Sequence, residues 1–348
     1  MNPYVLTILI SSLGIGTTLT FASSHWLLAW MGLEINTLAI IPLMAQQHHP
    51  RAVEAATKYF LTQATAAAMI LFASTTDAWM SGQWNITQIS HPISTTTITL
   101  ALALKIGLAP AHFWLPEVLQ GLNLTTGLIL STWQKLAPFA LMLQIAPNNN
   151  PALLIMLGIT SALIGGWGGL NQTQLRKMLA YSSIAHLGWM VTILHFMPNL
   201  ALLNLAMYIT MTSAVFLMAK TMSTTKINTL ATAWTKTPAL TALAMLSLLS
   251  LGGLPPLTGF TPKWLILQEL TKQDLPLAAT IMAMSTLLSL FFYLRLCYAM
   301  TLTISPNINN ATTPWRFKST QTTLTTAITL TASLVLLPIT PAILAMTT

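Results

Sequence analysis

Long apolar windows recur eleven times along this 348-residue chain, at roughly 4–21, 26–44, 57–76, 94–120, 123–145, 151–170, 175–195, 199–221, 238–270, 276–302 and 323–346. Crossing ~30 Å of hydrocarbon takes about 20 helical residues, and inside it every backbone N–H and C=O needs a protein partner. The windows therefore predict an all-α polytopic membrane protein with about 11 transmembrane helices. Composition agrees: 54% of residues are hydrophobic and 6% charged, against about 25% charged in soluble domains. No stretch reads as a separate soluble domain, so residues 1–348 are expected to form a single transmembrane domain.

No basic, cleavable leader pattern precedes the first window, which is expected to be a retained span. Turn chemistry marks the breaks at His48-His49-Pro50, Pro147 to Pro151, and Ser305 to Pro314. An odd number of spans puts the termini on opposite faces. Arg51, Lys58, Arg176, Lys177, Lys220, Lys226, Lys236, Arg316 and Lys318 then share the face of the N-terminus, whereas the other face offers Lys272 with Glu269 and Asp274. By the positive-inside rule the N-terminus lies in the cytoplasm or its mitochondrial equivalent, the matrix. The net charge of +8 forms no basic stripe with interleaved aromatics, so nucleic acid is not an expected partner. Frequent Met and Thr are in keeping with mitochondrial encoding, and Thr suits membrane helices because its hydroxyl bonds a carbonyl one turn back.

An internal repeat constrains the topology further. Gly107-Leu108-Ala109-Pro110-Ala111-His112-Phe113-Trp114-Leu115-Pro116-Glu117 aligns without a gap, at an offset of 146 residues, with Gly253-Leu254-Pro255-Pro256-Leu257-Thr258-Gly259-Phe260-Thr261-Pro262-Lys263. The copies lie in the fourth and ninth windows, an odd separation, so they run in opposite directions across the bilayer. This predicts an inverted repeat with two broken helices, the antiporter-like plan of secondary transporters, with halves centred near 107–117 and 253–263. Proline removes a backbone donor and clashes with the preceding turn, so each copy should free carbonyls at mid-membrane. The plainer reading is two independent kinks.

Glu34, Lys105, Lys135 and Lys263 fall inside these apolar stretches. Each charge at the bilayer centre costs about 2.5–3.5 kcal/mol on insertion scales, and four approach ~10–14 kcal/mol, as large as the net stability of a domain. Lys105 lies just before the first proline break and Lys263 just after the second. Desolvation generally makes lysine easier to deprotonate and a nearby carboxylate makes it harder. Glu34 beside Lys105 would hold that lysine charged until the carboxylate moved or took a proton, and a series of such groups joined by water is a proton relay. The alternative is a buried ion pair that fixes helix packing, but one carboxylate cannot neutralise three lysines.

His112, in the first break and seven residues after Lys105, is expected on the face of that lysine. His186, mid-span in the seventh window, is a second relay candidate. Arg295 can snorkel to the basic face, and Glu54 and Glu117 read as solvated or loop partners. Cys297 is the only cysteine, which excludes a disulfide framework, a four-thiolate cluster and a structural zinc site. His48-His49 lacks further ligands nearby. Gly165-Gly166-Trp167-Gly168-Gly169 fits close helix packing better than a phosphate loop. Asp77 and Asp274 lie in loops of one face, so no hydrolase triad emerges. Trp26, Trp79 and Trp84 read as interfacial belt residues.

Met1-Asn2-Pro3, Trp30-Met31-Gly32-Leu33-Glu34-Ile35-Asn36, Leu104-Lys105-Ile106-Gly107-Leu108-Ala109-Pro110, Phe113 to Val118, Trp133-Gln134-Lys135 and Gly252 to Phe260 together resemble the antiporter-like proton-translocating subunits of respiratory complex I, over the whole chain. The resemblance implies a Glu34–Lys105 pair, a connecting Lys135, and Lys263 on the second broken helix, with Lys105 exchanging protons with one side and Lys263 with the other. It implies proton translocation across the mitochondrial inner membrane coupled to electron transfer from NADH to ubiquinone. No cofactor is expected in this chain, with NAD, FMN, iron–sulfur clusters and ubiquinone expected in partner subunits. Implied partners are other membrane-arm subunits, accessory subunits and membrane lipids. Bacterial members carry three more N-terminal helices than this sequence, which leads to the expectation that other subunits cover that surface. The competing classes are a stand-alone cation/proton antiporter and a purely structural assembly subunit.

Overall fold

The computed structural model describes residues 2–46, 49–89, 91–235, 237–302 and 323–347. His48, Lys236, Arg316, Lys318 and the break at 305–314, named above, lie outside the described residues. Among the described residues the regular structure is helical, with two isolated β-bridges, His25 to Asn85 and Gln174 to Lys226. The chain divides into two compact units, Met1–Ser161 and Ala162–Thr348.

The first unit holds α1 (Pro3–Ala22), α2 (Trp26–Met44), α3 (Pro50–Ser81), α4 (Pro92–Ile106), α5 (Trp114–Gly121), α6 (Leu124–Ser131) and α7 (Trp133–Ile145). The unit boundary falls within α8 (Pro151–Gly168). The second unit holds α9 (Leu175–Ile193), α10 (Pro198–Thr221), α11 (Ile227–Ala231), α12 (Pro238–Gly252), α13 (Phe260–Lys272), α14 (Pro276–Thr301), α15 (Leu324–Val335) and α16 (Thr340–Thr347). Helices occupy every apolar window. Among the described residues five are long and apolar enough to cross a membrane unaided, namely α1, α2, α8, α10 and α14, and the α15–α16 pair, bent by 63°, makes a sixth.

Local chemistry sets the ends. Proline opens α1, α3, α4, α8, α10, α12 and α14, where its missing N–H would have no helical partner and its fixed φ suits the first turn. Asn2, His25 and His49 side chains accept from backbone N–H groups two residues on. Thr and Ser satisfy their hydroxyls one turn back, as in Thr20 to Thr17 at 2.7 Å and Thr241 to Pro238 at 2.7 Å, so these residues sit buried in an apolar setting without an orphaned group.

Small residues let the helices close. A Cβ on Gly165 would stand 2.6 Å from the Ala185 nitrogen, and one on Gly166 would stand 2.9 Å from Leu288, so the glycine run is a packing surface for α9 and α14. The fourth and ninth windows break where the repeat predicts. The fifth breaks too, at Thr132 between α6 and α7, although no proline or glycine stands there. Trp26 departs from its expected belt position: it is 1% exposed, because its backbone N–H is held by the Trp84 carbonyl and its ring turns into the core. Trp79 is exposed as expected, and Trp84 stacks on His25 with ring centroids 5.5 Å apart.

Candidate functional site

Helix α4 stops at Gly107, whose φ of +88° is the left-handed conformation that side chains disfavour. The N–H groups of Gly107 and Leu108 both return to the Ala103 carbonyl at 2.9 Å. The following Ala109–Pro110 peptide is cis, and the chain resumes as α5 at Trp114. Two carbonyls of the interrupted end are then taken by side chains: Trp114 Nε1 donates to the Leu104 oxygen at 3.1 Å and Gln63 Nε2 to the Lys105 oxygen at 3.3 Å.

This arrangement leaves the Lys105 ammonium inside the unit. Its side chain is 2% exposed, and its Nζ lies 4.0 Å from Glu34 Oε1, within Coulombic range and beyond hydrogen-bond distance. Among the described residues no hydrogen-bond acceptor touches that Nζ. Glu34 is half-buried, and the Thr37 hydroxyl donates to its Oε2 at 3.3 Å. A cavity of about 20 Å³ lined by Asn36, Tyr59, Gln63, Lys105, Gln134 and Lys135 adjoins the lysine. A space of ~10–15 Å³ admits one water, so a single water can stand between polar groups here. Lys135, 3% exposed, is the third residue of α7, the positive end of that helix and the least favourable one for a cation. Gln134 beside it donates to the Asn36 carbonyl at 3.3 Å, fixing α7 to α2.

In the second unit the same backbone recurs. Gly253 has φ +81°, its N–H returns to the Leu249 and Ser250 carbonyls, the Pro255–Pro256 peptide is cis, and α13 begins at Phe260. Lys263 folds back over the break, and its Nζ donates to the Gly252 oxygen at 2.8 Å and the Leu251 oxygen at 3.5 Å. A Cβ on Gly253 would meet that Nζ at 2.8 Å, so the glycine is needed both for its φ and for the space the lysine fills. The Thr258 hydroxyl binds the Ser333 carbonyl, which holds α15 against the break.

The structure thus brings Glu34, Lys105 and Lys135 together in the first unit and places Lys263 at its own break in the second. His112 does not share a helical face with Lys105: α4 ends at Ile106, and the seven residues from Gly107 interrupt the periodicity. Its Nδ1 lies 3.3 Å from the Pro110 carbonyl and its ring packs on Phe113. His186 is buried in α9 with its ring 5.7 Å from that of Tyr208. Arg295 donates to the Leu170 carbonyl at 2.8 Å instead of reaching outward. Lys58 bonds both Glu54 and Glu117 at 2.7 Å on an exposed edge, and that ammonium holds the Glu54 carboxyl below its ordinary value. Trp114, Gln63, Gln134 and Tyr59 are site residues that sequence reasoning missed. The runs Phe113 to Val118 and Trp133-Gln134-Lys135 were the available signals for Trp114 and Gln134.

Comparison with known proteins places this geometry. The family described as NADH:quinone oxidoreductase/Mrp antiporter, transmembrane, matches residues 23–289, and the NADH dehydrogenase subunit 2 C-terminus matches residues 290–344. The chain is 73% identical over 346 residues to the NADH-ubiquinone oxidoreductase chain 2 of Oncorhynchus mykiss, covering 99% of each, and 74% identical over 343 residues to that of Salmo salar, covering 99% of this chain and 98% of the relative. A chain in the structure of respiratory complex I from Thermus thermophilus with bound aureothin superposes with a TM-score of 0.83 at 26% identity, over 96% of this chain and 80% of that one. A chain of the Mrp complex from Dietzia superposes with a TM-score of 0.79 at 16% identity, covering 97% of this chain and 77% of that one, a likeness of fold.

Proposed function

Because the chain belongs to the NADH:quinone oxidoreductase/Mrp antiporter transmembrane family, we propose that it is a core membrane-arm subunit of respiratory complex I and takes part in proton translocation across the mitochondrial inner membrane. The observation that carries this reading is the small cavity of the first unit, where two buried lysines face a space of one water's size and one of them lies 4.0 Å from a carboxylate. Lysines buried in an apolar interior are costly to keep. Their use is exchange of protons.

In this proposal Glu34 sets the charge of Lys105. With the carboxylate ionised and near, Lys105 keeps its proton. When Glu34 is protonated or displaced, the proton leaves Lys105 through the adjoining water towards Lys135. Lys263, held by carbonyls at the second break, is the corresponding station of the second unit, with His112 and His186 as accessory groups. Electron transfer from NADH to ubiquinone, with NAD, FMN and iron–sulfur clusters, belongs to partner subunits in this reading. The stand-alone antiporter alternative is not favoured, since the full-length relatives are chains of an oxidoreductase. The N-terminus is assigned to the matrix on the placement of Arg51, Lys58, Arg176, Lys177, Lys220 and Lys226.

The test is NADH-driven proton uptake by assembled complex in proteoliposomes. Lys105→Met and Lys135→Met should each lower the rate of NADH-driven proton uptake by about tenfold, ~1.4 kcal/mol in the limiting barrier. Wild-type pumping in both would overturn the assignment.

A further inference from the structure

The small cavity of the first unit holds a polar residue that the relay reading leaves without a role. Asn36 stands on α2, two residues after Glu34, and lines the same space of about 20 Å³ as Lys105 and Lys135. It is 2% exposed, and both ends of its side-chain amide, Oδ1 and Nδ2, lack a hydrogen-bond partner among the described residues. The Lys105 ammonium in that wall is in the same condition. Gln63 and Gln134 line the space too, but their nitrogens are committed to the Lys105 and Asn36 carbonyls. A buried polar group without a partner is costly to keep, and more so when it is charged.

Neighbouring helices set the place of this amide from two sides. Gln134 ties the Asn36 backbone to α7, one residue ahead of Lys135. On α1, a Cβ at Gly16 would stand 2.5 Å from Asn36 Oδ1, so the missing side chain there gives the amide its room. A cavity water needs about 10–15 Å³ and two to four polar partners, and the orphaned ammonium and amide supply them. An ammonium can only donate, so beside charged Lys105 the water presents its oxygen to the lysine and its protons elsewhere; beside a neutral amine it turns round. An amide carries an acceptor end and a donor end and can answer either orientation.

We propose that Asn36 is a positioning residue of the relay: its side-chain amide holds the water of this cavity in place against Lys105, in line for Lys135. This role rests on the proton-translocation reading above. In the step it serves, an N–H bond of the Lys105 ammonium breaks as an O–H bond forms on the water, and another proton of that water passes on towards the Lys135 amine. The amide stays neutral throughout, being too weak a base to keep the proton, whereas a second carboxylate here would trap it on the lysine.

The experiment compares wild type, Asn36→Leu and Asn36→Ser as assembled complex, by NADH-driven proton uptake in proteoliposomes in H2O and D2O and by high-resolution electron cryomicroscopy. The wild-type map should show one water within about 3.2 Å of both Lys105 Nζ and the Asn36 amide. Asn36→Leu, close in size but with neither polar end, should lose that water, slow uptake by about three- to tenfold and raise the solvent isotope effect by at least about 1.5-fold, because proton transfer becomes the slower step. A packing defect slows uptake without raising the isotope effect, and that outcome overturns the proposal. Asn36→Ser keeps a hydroxyl and leaves space for a further water, so it should pump within about twofold of wild type; a loss as deep as that of Asn36→Leu overturns the proposal too. Wild-type uptake in Asn36→Leu, with Lys105→Met and Lys135→Met impaired, removes this role and leaves the relay, whereas normal uptake in all of them removes both. If Asn36→Leu fails to assemble, the wild-type map decides alone, and a cavity without that water overturns the proposal.

Discussion

The break after Gly107 and the break after Gly253 share one backbone plan, a left-handed glycine, an N–H returned to the preceding turn, a cis X–Pro peptide and a new helix, yet they treat their lysines in opposite ways. At the first break the Lys105 carbonyl is capped by Gln63 and that of Leu104 by Trp114. Its ammonium is left with a carboxylate at 4.0 Å and a water-sized cavity. At the second, the carbonyl equivalent to that of Lys105 is that of Leu251, and Lys263 itself caps it and Gly252. An identical chain reversal therefore offers one lysine freedom and the other an anchor. What differs is which side chain takes the freed carbonyls.

The largest expected effect tests the aromatic cap. Trp114→Ala removes a side chain that is 8% exposed and strands the Leu104 carbonyl, so it should destabilise the first unit by about 3–5 kcal/mol. Phe260→Ala, its repeat equivalent, removes a half-buried ring without a cap and should cost less than half as much. Thermal unfolding of assembled complex compares them, and equal losses would break the distinction.

Next comes the lysine pair itself. Lys263→Met leaves the Gly252 carbonyl without its charged donor and should cost about 1.5–3 kcal/mol. Lys105→Met removes a buried ammonium that makes no hydrogen bond among the described residues and should change stability by less than ~1 kcal/mol, while proton uptake falls in both. A Lys105 variant as unstable as the Lys263 variant would show that Lys105 is also an anchor. Smaller again are Gly107→Ala and Gly253→Ala, each about 1–2 kcal/mol for the left-handed backbone. The two losses should be alike when read by unfolding, because a Cβ on Gly107 would stand 2.8 Å from Leu115 Cδ1 and one on Gly253 2.8 Å from Lys263 Nζ.

Much of this contrast is legible in the amino-acid sequence itself. The repeat of 146 residues locates both breaks to the residue, because glycine, leucine and proline act through local backbone sterics that a sequence displays directly. Glu34, Lys105, Lys135 and Lys263 are legible as charges in apolar windows. The Thr132 break is not, since no breaker stands there and the Thr132 hydroxyl bonds its own helix at Leu128, 2.7 Å away. Gln63 escapes notice, and Gln134 and Trp114 stand in recognisable runs without a role, because their partners are backbone carbonyls, which no side-chain pattern reports. The placement of His112 fails for a related reason: helical periodicity does not carry through a segment that is not helical.

The smallest effect belongs to the exposed cluster of Glu54, Lys58 and Glu117, and it sharpens the comparison from the other side. Glu117 is the repeat equivalent of Lys263, but it points to Lys58 on α3 at 2.7 Å rather than back to its own break. Both partners are largely solvated, so the contribution is slight and screened by salt. Lys58 holds the Glu54 carboxyl below its ordinary 4.5, so what this pair adds is fully present above that value and fades as pH falls through the lowered one. Stability of assembled complex should therefore be the same for wild type and Glu117→Gln at neutral pH to within a small offset. Glu54→Gln should differ from wild type by as small an offset, and that one should fade as pH falls below about 4.5 through the lowered Glu54 value. A large pH-dependent gap near neutrality would mean that Glu117 reaches the first break after all, and that the two halves of the repeat are chemically closer than their caps suggest.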